Sequence, residues 1–200
     1  MNTVAEQFVD LLLQAGVTRV YGVVADSLNP FVDAIRRTAG IDWIHVRNEE
    51  AGAFAAAAEA QLTGRLAVCA GSGGPGNTHL IQGLYDAHRS GVPVLAIASH
   101  IPTEQIGTSF FQETHPERLF VECSHYCELV SQASQMPRLA RIAIQHAVVR
   151  GGVSVLVMPG GAKLYGETSG RSGLEGRAKA TAAEIAAQLK VRFQDRGWIR

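Results

Sequence analysis

Two adjacent acids, Glu49 and Glu50, stand where an alanine-rich helix is predicted to begin. They follow a short apolar run at 43–46, which we interpret as a buried strand. Acids in the first turn of a helix complement its dipole, and this role is sufficient to explain Glu50. Glu49 would also lie at the carboxyl end of a strand, where open α/β sheets place their ligands. A carboxyl group buried there among Ala and Phe side chains would be shielded from water and suited to proton transfer. We therefore interpret Glu49 as a candidate catalytic residue.

A second candidate is the segment Gly-Ser-Gly-Gly-Pro-Gly at 71–76, between a predicted strand and a predicted helix. It matches the G-x-G-x-x-G pattern of dinucleotide-binding folds. However, the loop follows the third predicted strand rather than the first, and Pro75 removes a backbone amide that would face a pyrophosphate. The next strand, 92–98, also ends in Ser99-His100 instead of an acid that would bind a ribose hydroxyl. A nicotinamide-dependent oxidoreductase stays open as one hypothesis.

Apolar runs and helical periodicities alternate along the chain. A capping box at Thr3 and Glu6 predicts the first helix, and Asp26 or Ser27 is predicted to cap the second. Six apolar runs are interpreted as strands, at 20–24, 43–46, 66–70, 92–98, 126–130 and 153–158. Strands that alternate with helices indicate an α/β fold. We predict a doubly wound, mainly parallel six-stranded sheet with helices on both faces.

The remaining histidines and the cysteines give weaker signals. No partner is evident for His79, His88 and His100, so we interpret them as helix or strand-end residues. Three other side chains would share one face of a predicted strand, namely Cys123, His125 and Cys127. Zinc sites take four ligands in most cases, and a fourth is lacking here. We therefore predict no metal site.

Composition limits the classes of function. Equal numbers of basic and acidic residues, 18 of each, give no reason to expect nucleic-acid binding. No apolar run reaches the roughly 18 residues of a transmembrane helix, and the first ten residues carry acids where a signal peptide carries Lys or Arg. An odd number of cysteines, three, favours reduced thiols. We expect a soluble cytoplasmic protein without a membrane segment.

Charge divides the chain into two parts. Residues 1–160 hold ten Arg, no Lys and fourteen acids, whereas 161–200 hold three Lys, five Arg and four acids. We predict a domain at 1–160 and a divergent tail at 161–200. The tail contains a Gly/Ser-rich stretch at 166–176, typical of a linker, and a short amphipathic helix. Two interpretations stay open, a truncated or frame-shifted gene end and a segment that docks on the domain or on a partner.

Longer segments, read together, resemble the amino-terminal, pyrimidine-binding domain of thiamine-diphosphate-dependent enzymes. Within that family the sequence is most similar to bacterial pyruvate oxidases and quinone-linked pyruvate dehydrogenases, and the resemblance covers about 3–159. The segments are NEEAGAFAAAAEAQLTG, AVCAGSGGPGNTHLIQGLYDAHRSGVPVLAIASHIP and FFQETHPERLFVECSHYCELV. Within these segments, the GPGN and FQETHP motifs are the most specific for the family.

The resemblance assigns roles to individual residues. It implies that Glu49 hydrogen-bonds a ring nitrogen of the aminopyrimidine of thiamine diphosphate, which promotes proton removal from the thiazolium ring before attack on a 2-oxo acid such as pyruvate. Asn48 stands where close relatives carry His. For Asp26, a place near the substrate and a helix cap are equally open. The residues implied to border the cofactor are Ala25, Asp26, Glu49, Gly74, Pro75, Gly76 and Asn77, and those on the substrate and flavin side are Phe111 and Gln112.

The resemblance also implies that the site is incomplete. Complete relatives add a domain that binds FAD in the oxidases and a domain whose Gly-Asp-Gly motif binds Mg²⁺ and the diphosphate, so both groups are expected only in the complete enzyme. We expect the pyrimidine-binding half of a 2-oxo acid decarboxylating oxidase or dehydrogenase, inactive alone. It would be a gene fragment or a split-enzyme subunit, working as a homodimer or tetramer or with a complementary diphosphate-binding chain. The alternative is a non-catalytic binding or assembly module that retains the dimerising surface of the fold.

Overall fold

The computed structural model describes residues 3–160, which form six strands that alternate with helices. The strands are β1 (Arg19–Gly22), β2 (Asp42–His45), β3 (Ala67–Gly71), β4 (Val94–His100), β5 (Tyr126–Leu129) and β6 (Val153–Pro159). The helices are α1 (Val4–Gln14), α2 (Asn29–Arg37), α3 (Glu49–Thr63), α4 (Pro75–Arg89), α5 (Pro116–Leu119) and α6 (Met136–Arg150). The predicted tail at 161–200 lies outside the described residues, so the domain boundary stays a prediction.

All six strands run parallel, in the order β2-β1-β3-β4-β6-β5. The predicted fold class is confirmed, and the sheet is entirely rather than mainly parallel. Helices α1, α2 and α6 cover one face, and α3, α4 and the end of α5 cover the other. Successive residues of a strand point to opposite faces, so Val68 and Ala70 join the first core, and Ala67 and Cys69 join the second.

The topology places a crevice beside two central strands. β1 and β3 are neighbours, yet the helix after β1, α2, lies on one face and the helix after β3, α4, lies on the other. The chain therefore leaves these two carboxyl ends in opposite directions. Such a switch point is where doubly wound sheets bind their ligands.

The prediction of a buried strand at 43–46 was wrong. β2 is an edge strand that pairs only with β1, and its residues are largely exposed. Its apolar pattern comes mainly from Trp43, which packs edge to face against Phe31 of α2 at a centroid distance of 6.3 Å. Only some side chains of an edge strand contact the core, so a run of apolar residues does not require burial on both faces of the sheet.

The predicted alternation of Cys123, His125 and Cys127 along one strand was also wrong. β5 begins only at Tyr126, and Cys123 ends a 3₁₀ turn at Val121–Cys123. Burial raises the pKa of the Cys123 thiol to about 11 and that of the Cys127 thiol to about 12. Both thiols are therefore protonated at neutral pH, whereas the thiolate is the form that ligates metals.

Helices α3 and α4 approach closely because Gly83 has no side chain. A Cβ on Gly83 would lie 2.6 Å from both Ala53 Cβ and the backbone nitrogen of Phe54. We expect Gly83→Ala to destabilise the fold by about 1–3 kcal/mol, although alanine is the better helix former by roughly 1 kcal/mol. Denaturant unfolding would measure this, with Gln82→Ala on the exposed side of α4 as the matched control. A stabilised Gly83→Ala variant would contradict the close approach.

His88, in the last turn of α4, is expected to make the stability of the fold depend on pH. His88 lies beside His125, with ring centroids 4.4 Å apart, and burial, then His125 and Arg89, hold the pKa of His88 below its ordinary value. The unfolded chain then binds more protons as the pH falls through about 6.5. We expect the free energy of unfolding to fall from pH 7 toward the lower pKa of folded His88. Denaturant titrations should show a shallower fall for His88→Gln, and an unchanged slope would contradict this role.

Candidate functional site

Glu49 is the first residue of α3 and points into the crevice rather than into water. Asn48 caps the helix, and its Oδ1 accepts a hydrogen bond from the backbone nitrogen of Glu50 at 2.8 Å. This cap fixes the direction in which α3 leaves β2 and so places the next side chain. Only 6% of Glu49 is exposed, which makes it the one buried acid among residues 3–160.

Polar groups, not a wall of Ala and Phe, surround the Glu49 carboxylate. Ser72 Oγ donates to Glu49 Oε1 at 3.2 Å, and His79 Nδ1 lies 3.1 Å from Glu49 Oε2. The predicted apolar wall was wrong because Phe54 lies on the outer side of α3 and is 41% exposed. The carboxylate is buried but hydrogen-bonded, as a buried acid requires.

The glycine-rich loop packs directly against this carboxylate. A Cβ on Gly76 would lie 2.6 Å from Glu49 Oε1 and would also collide with Ser72 Oγ. A Cβ on Gly74 would lie 2.9 Å from the backbone oxygen of Gln112. The missing side chains therefore allow the loop to pack closely against Glu49 at Gly76 and against Gln112 at Gly74. Pro75 occupies the first turn of α4, where its missing N–H costs nothing.

Serine hydroxyls tie the turn after β1 to the centre of the sheet. Ser27 Oγ accepts from the backbone nitrogen of Gly73 at 3.2 Å and forms a short hydrogen bond with Ser99 Oγ. The prediction that Asp26 or Ser27 caps the second helix was wrong. A 3₁₀ turn at Asp26–Leu28 precedes α2, and no side chain caps either element.

The other predicted cofactor residues fall around the same edge. Ala25 is extended and half-buried, and Asp26 is exposed in the turn that follows it. Asn77 is fully buried, and its Nδ2 donates to the backbone oxygen of Ser99 at 2.7 Å, which ties α4 to β4. Its Oδ1 has no hydrogen-bond partner in the protein. Asn77 thus fixes the start of α4, and the cofactor contacts of all three residues stay predictions.

The long loop between β4 and α5 carries the two residues predicted on the substrate and flavin side. Gln112 lies against Gly74 and is half-buried, whereas Phe111 is 85% exposed beside Phe110. The structure thus brings Gln112 to the glycine loop and leaves the Phe111 ring in solvent. His100 is buried where this loop begins, and burial lowers the pKa of its imidazole.

Sequence reasoning missed Ser72 and His79, the two side chains that contact Glu49. Ser72 is the second residue of the glycine motif, where only the glycines and Pro75 were interpreted. His79 was interpreted without a partner, but it follows Gly76 by three residues. Residues three apart share a helix face, so the signal was present in the spacing. In the described part of the chain, no group of three or more His, Cys, Asp or Glu is arranged to hold a metal ion.

Comparison with known proteins identifies the family of this site. The sequence profile described as "Thiamine pyrophosphate enzyme, N-terminal TPP binding domain" matches residues 2–119. The chain belongs to the thiamine pyrophosphate enzyme family. Thiamine pyrophosphate is the cofactor also called thiamine diphosphate, so the resemblance drawn from the sequence is confirmed.

Proteins similar to this chain include an uncharacterised protein and two enzymes. An uncharacterised 42.6 kDa protein from the isoamylase 3′ region of Pseudomonas amyloderamosa is 63% identical over 157 residues, 78% of this chain and 40% of that protein. Pyruvate oxidase of Lactiplantibacillus plantarum is 39% identical over 160 residues, 79% of this chain and 26% of the oxidase. The large subunit of acetolactate synthase isozyme 2 of Escherichia coli is 35% identical over 135 residues, 68% of this chain and 24% of the subunit.

The chain therefore spans less than half the length of each of these relatives. The range matched by the family profile, residues 2–119, includes Glu49 and the glycine loop. Among residues 3–160, no helix combines the length and the apolar character that crossing a bilayer requires.

Proposed function

We propose that this chain provides the pyrimidine-binding half of a thiamine-diphosphate-dependent enzyme that decarboxylates a 2-oxo acid, with pyruvate as the substrate. The observation that carries the proposal is the buried Glu49 carboxylate at the switch point of the sheet, packed against Gly76. A position at the carboxyl ends of parallel strands is where such a sheet takes a ligand. Membership of the family and the similarity to pyruvate oxidase support the choice of cofactor and substrate.

The residues present fit the aminopyrimidine ring. An ionised carboxylate only accepts hydrogen bonds, and its two oxygens together offer about four acceptor sites. Ser72 and His79 occupy one site at each oxygen, so Glu49 retains sites at which it could share a proton with a ring nitrogen, which carries no hydrogen in the neutral ring. Gly76 carries no side chain that would cover the carboxylate, and Pro75 keeps the backbone before it rigid. Ala25, Asp26 and Asn77 would border the same ring.

When bound, thiamine diphosphate supplies an electron sink for the carbon left after carbon dioxide departs. The contribution of this chain would be to hold the aminopyrimidine ring and to exclude water from it. Glu49 would share a proton with the ring nitrogen in a site shielded from water, where such a bond is strong. Gln112, which packs against Gly74, is placed to contact the substrate side, together with the loop that carries Phe111.

We propose that Mg²⁺ and the diphosphate are held outside residues 3–160, by a complementary domain or chain. Hard divalent cations of this kind are bound through carboxylates, carbonyls and phosphate oxygens. The relatives are two and a half to four times longer than the matched segment, which leaves room for such a domain in them. If the complete enzyme is an oxidase, FAD would also bind outside residues 3–160, in a further domain.

A reconstitution experiment tests the proposal. The 200-residue chain is mixed with Mg²⁺, thiamine diphosphate and the remaining part of a pyruvate oxidase relative, and carbon dioxide release from pyruvate is measured. We expect release only when both chains are present, with Glu49→Gln as the inactive variant. No release from any reconstituted pair that does assemble, or release that is indifferent to Glu49→Gln, would refute the proposed function.

An exposed apolar stripe on α3 favours a second candidate, an assembly module without catalysis. Ala51, Phe54, Ala58 and Leu62 recur at helical spacing on the outer side of α3, and Leu62 is 88% exposed. Apolar residues gathered on one exposed face are typical of a contact surface. Under this alternative the chain would form a stable dimer in gel filtration and would not bind thiamine diphosphate, even beside a complementary chain.

A further inference from the structure

The two oxygens of Glu49 have different partners with different access to solvent. Ser72, half-buried in the glycine loop, donates to Oε1, and His79 on α4 lies beside Oε2. The side chain of His79 is 47% exposed, whereas that of Glu49 is 8% exposed. His79 is therefore the more exposed of the two side chains that contact this carboxylate.

A buried carboxylate held at only one oxygen is free to turn. Rotation about the terminal torsion of Glu is soft and roughly two-fold, so a single hydrogen bond leaves the plane of the carboxylate poorly defined. A second donor at the other oxygen removes that freedom. Ser72 and His79 approach from the loop and the helix that follow β3, and both are fixed relative to Gly76 by the start of α4.

We propose that His79 is a positioning residue, whose Nδ1–H donates to Glu49 Oε2 and fixes the plane of the carboxylate toward the cofactor ring. The inference rests on the function proposed above but concerns a residue to which it gave no role. The neutral imidazole has one N–H, and its tautomer is set by the hydrogen bond that it makes. With Glu49 ionised, the contact at 3.1 Å needs a proton on Nδ1, so a neutral ring is the Nδ1–H tautomer with Nε2 left as an acceptor.

Nuclear magnetic resonance of the ¹⁵N-labelled imidazole tests this in the full chain without any ligand. At a pH where the ring is neutral, we expect the Nδ1–H tautomer at His79, and loss of that preference in Glu49→Ala. Glu50→Ala, which removes the neighbouring half-buried acid, is the matched control and should leave the His79 spectrum unchanged. A mainly Nε2–H ring in the unmodified chain, or a tautomer unaffected by Glu49→Ala, would overturn the proposal.

A second measurement follows the consequence for the reconstituted enzyme. Hydrogen-bond partners that orient metal ligands contribute about ten- to a hundredfold to activity, and by analogy we expect His79→Leu to lower kcat for pyruvate by roughly tenfold. His79→Gln, which keeps a donor, should recover part of the loss, and Gln82→Leu on the next turn should have no effect. Equal activity of His79→Leu and the unmodified chain would overturn the positioning role.

The two proposals fail in different ways. Activity that disappears in Glu49→Gln but persists in His79→Leu would leave the proposed function standing and refute the role of His79. A reconstituted pair without activity would refute the proposed function, while the tautomer measurement would still decide whether His79 holds Glu49.

Discussion

Replacing Glu49 with Gln is expected to lower the reconstituted rate of pyruvate decarboxylation by roughly 10²–10⁴-fold, the usual contribution of a group that transfers a proton. The amide has nearly the same shape as the carboxyl group and can still accept from Ser72. It cannot exchange a proton with a ring nitrogen, and its NH₂ would face the imidazole N–H of His79. Steady-state kinetics at saturating cofactor would measure the change.

The matched control is Glu50→Gln at the next position. Glu50 is half-buried, and its backbone nitrogen rather than its carboxylate takes part in the cap of α3. We expect an activity within about twofold of the unmodified chain, since removing a surface charge near a helix terminus costs only about 0.3–1 kcal/mol of stability. Equal losses in the two variants would indicate a defect of the helix terminus instead of lost proton transfer.

Replacing Phe31 with Ala is expected to destabilise the fold by about 3–5 kcal/mol. Phe31 is 1% exposed, and its ring lies 5.3 Å from that of Phe8 on α1 and 6.3 Å from that of Trp43 on β2. The truncation leaves a cavity where two helices and an edge strand meet, and the surrounding backbone can fill it only in part. Denaturant unfolding monitored by circular dichroism would measure the loss.

Phe111→Ala makes the same chemical change on the surface and serves as the control. With 85% of Phe111 exposed, its truncation should change the free energy of unfolding by less than about 0.5 kcal/mol. The two substitutions together separate burial from residue type. Similar losses for both would contradict the packing described for Phe31.

Much of the fold was predictable because its signals are local. The capping box of α1 is present, with Glu6 Oε2 accepting from the backbone nitrogen of Thr3 and Thr3 Oγ1 accepting from that of Glu6. All six apolar runs became strands. The position of a strand within the sheet is a tertiary property, and the run at 43–46 was mistaken for a buried strand for that reason. The contact of Trp43 with Phe31 is a tertiary contact between β2 and α2, and it produces no local sequence pattern.

The site was predictable to the level of Glu49 and the glycine loop, through the resemblance to a family. The two side chains that contact Glu49 were missed, because Ser72 and His79 are 23 and 30 residues away in sequence. The spacing of His79 from Gly76 indicates a shared helix face but not the contact with Glu49. The cap of α2 failed for a related reason. Serine is a typical capping residue, but the Ser27 hydroxyl forms hydrogen bonds with Ser99 and Gly73, which lie near the ends of β4 and β3. A tertiary hydrogen bond replaced a local one.

The two edge strands of the sheet, β2 and β5, limit the ways in which the complementary chain of the proposed function could bind. β2 and β5 have four residues each, and both present charged or titratable groups to solvent, such as Asp42 and Glu128. Short, charged borders resist the addition of a foreign strand. Under the proposed function, we expect a partner to recognise side chains on the helical layers or at the switch point, and recognition by side chains can select one partner where backbone pairing would accept many.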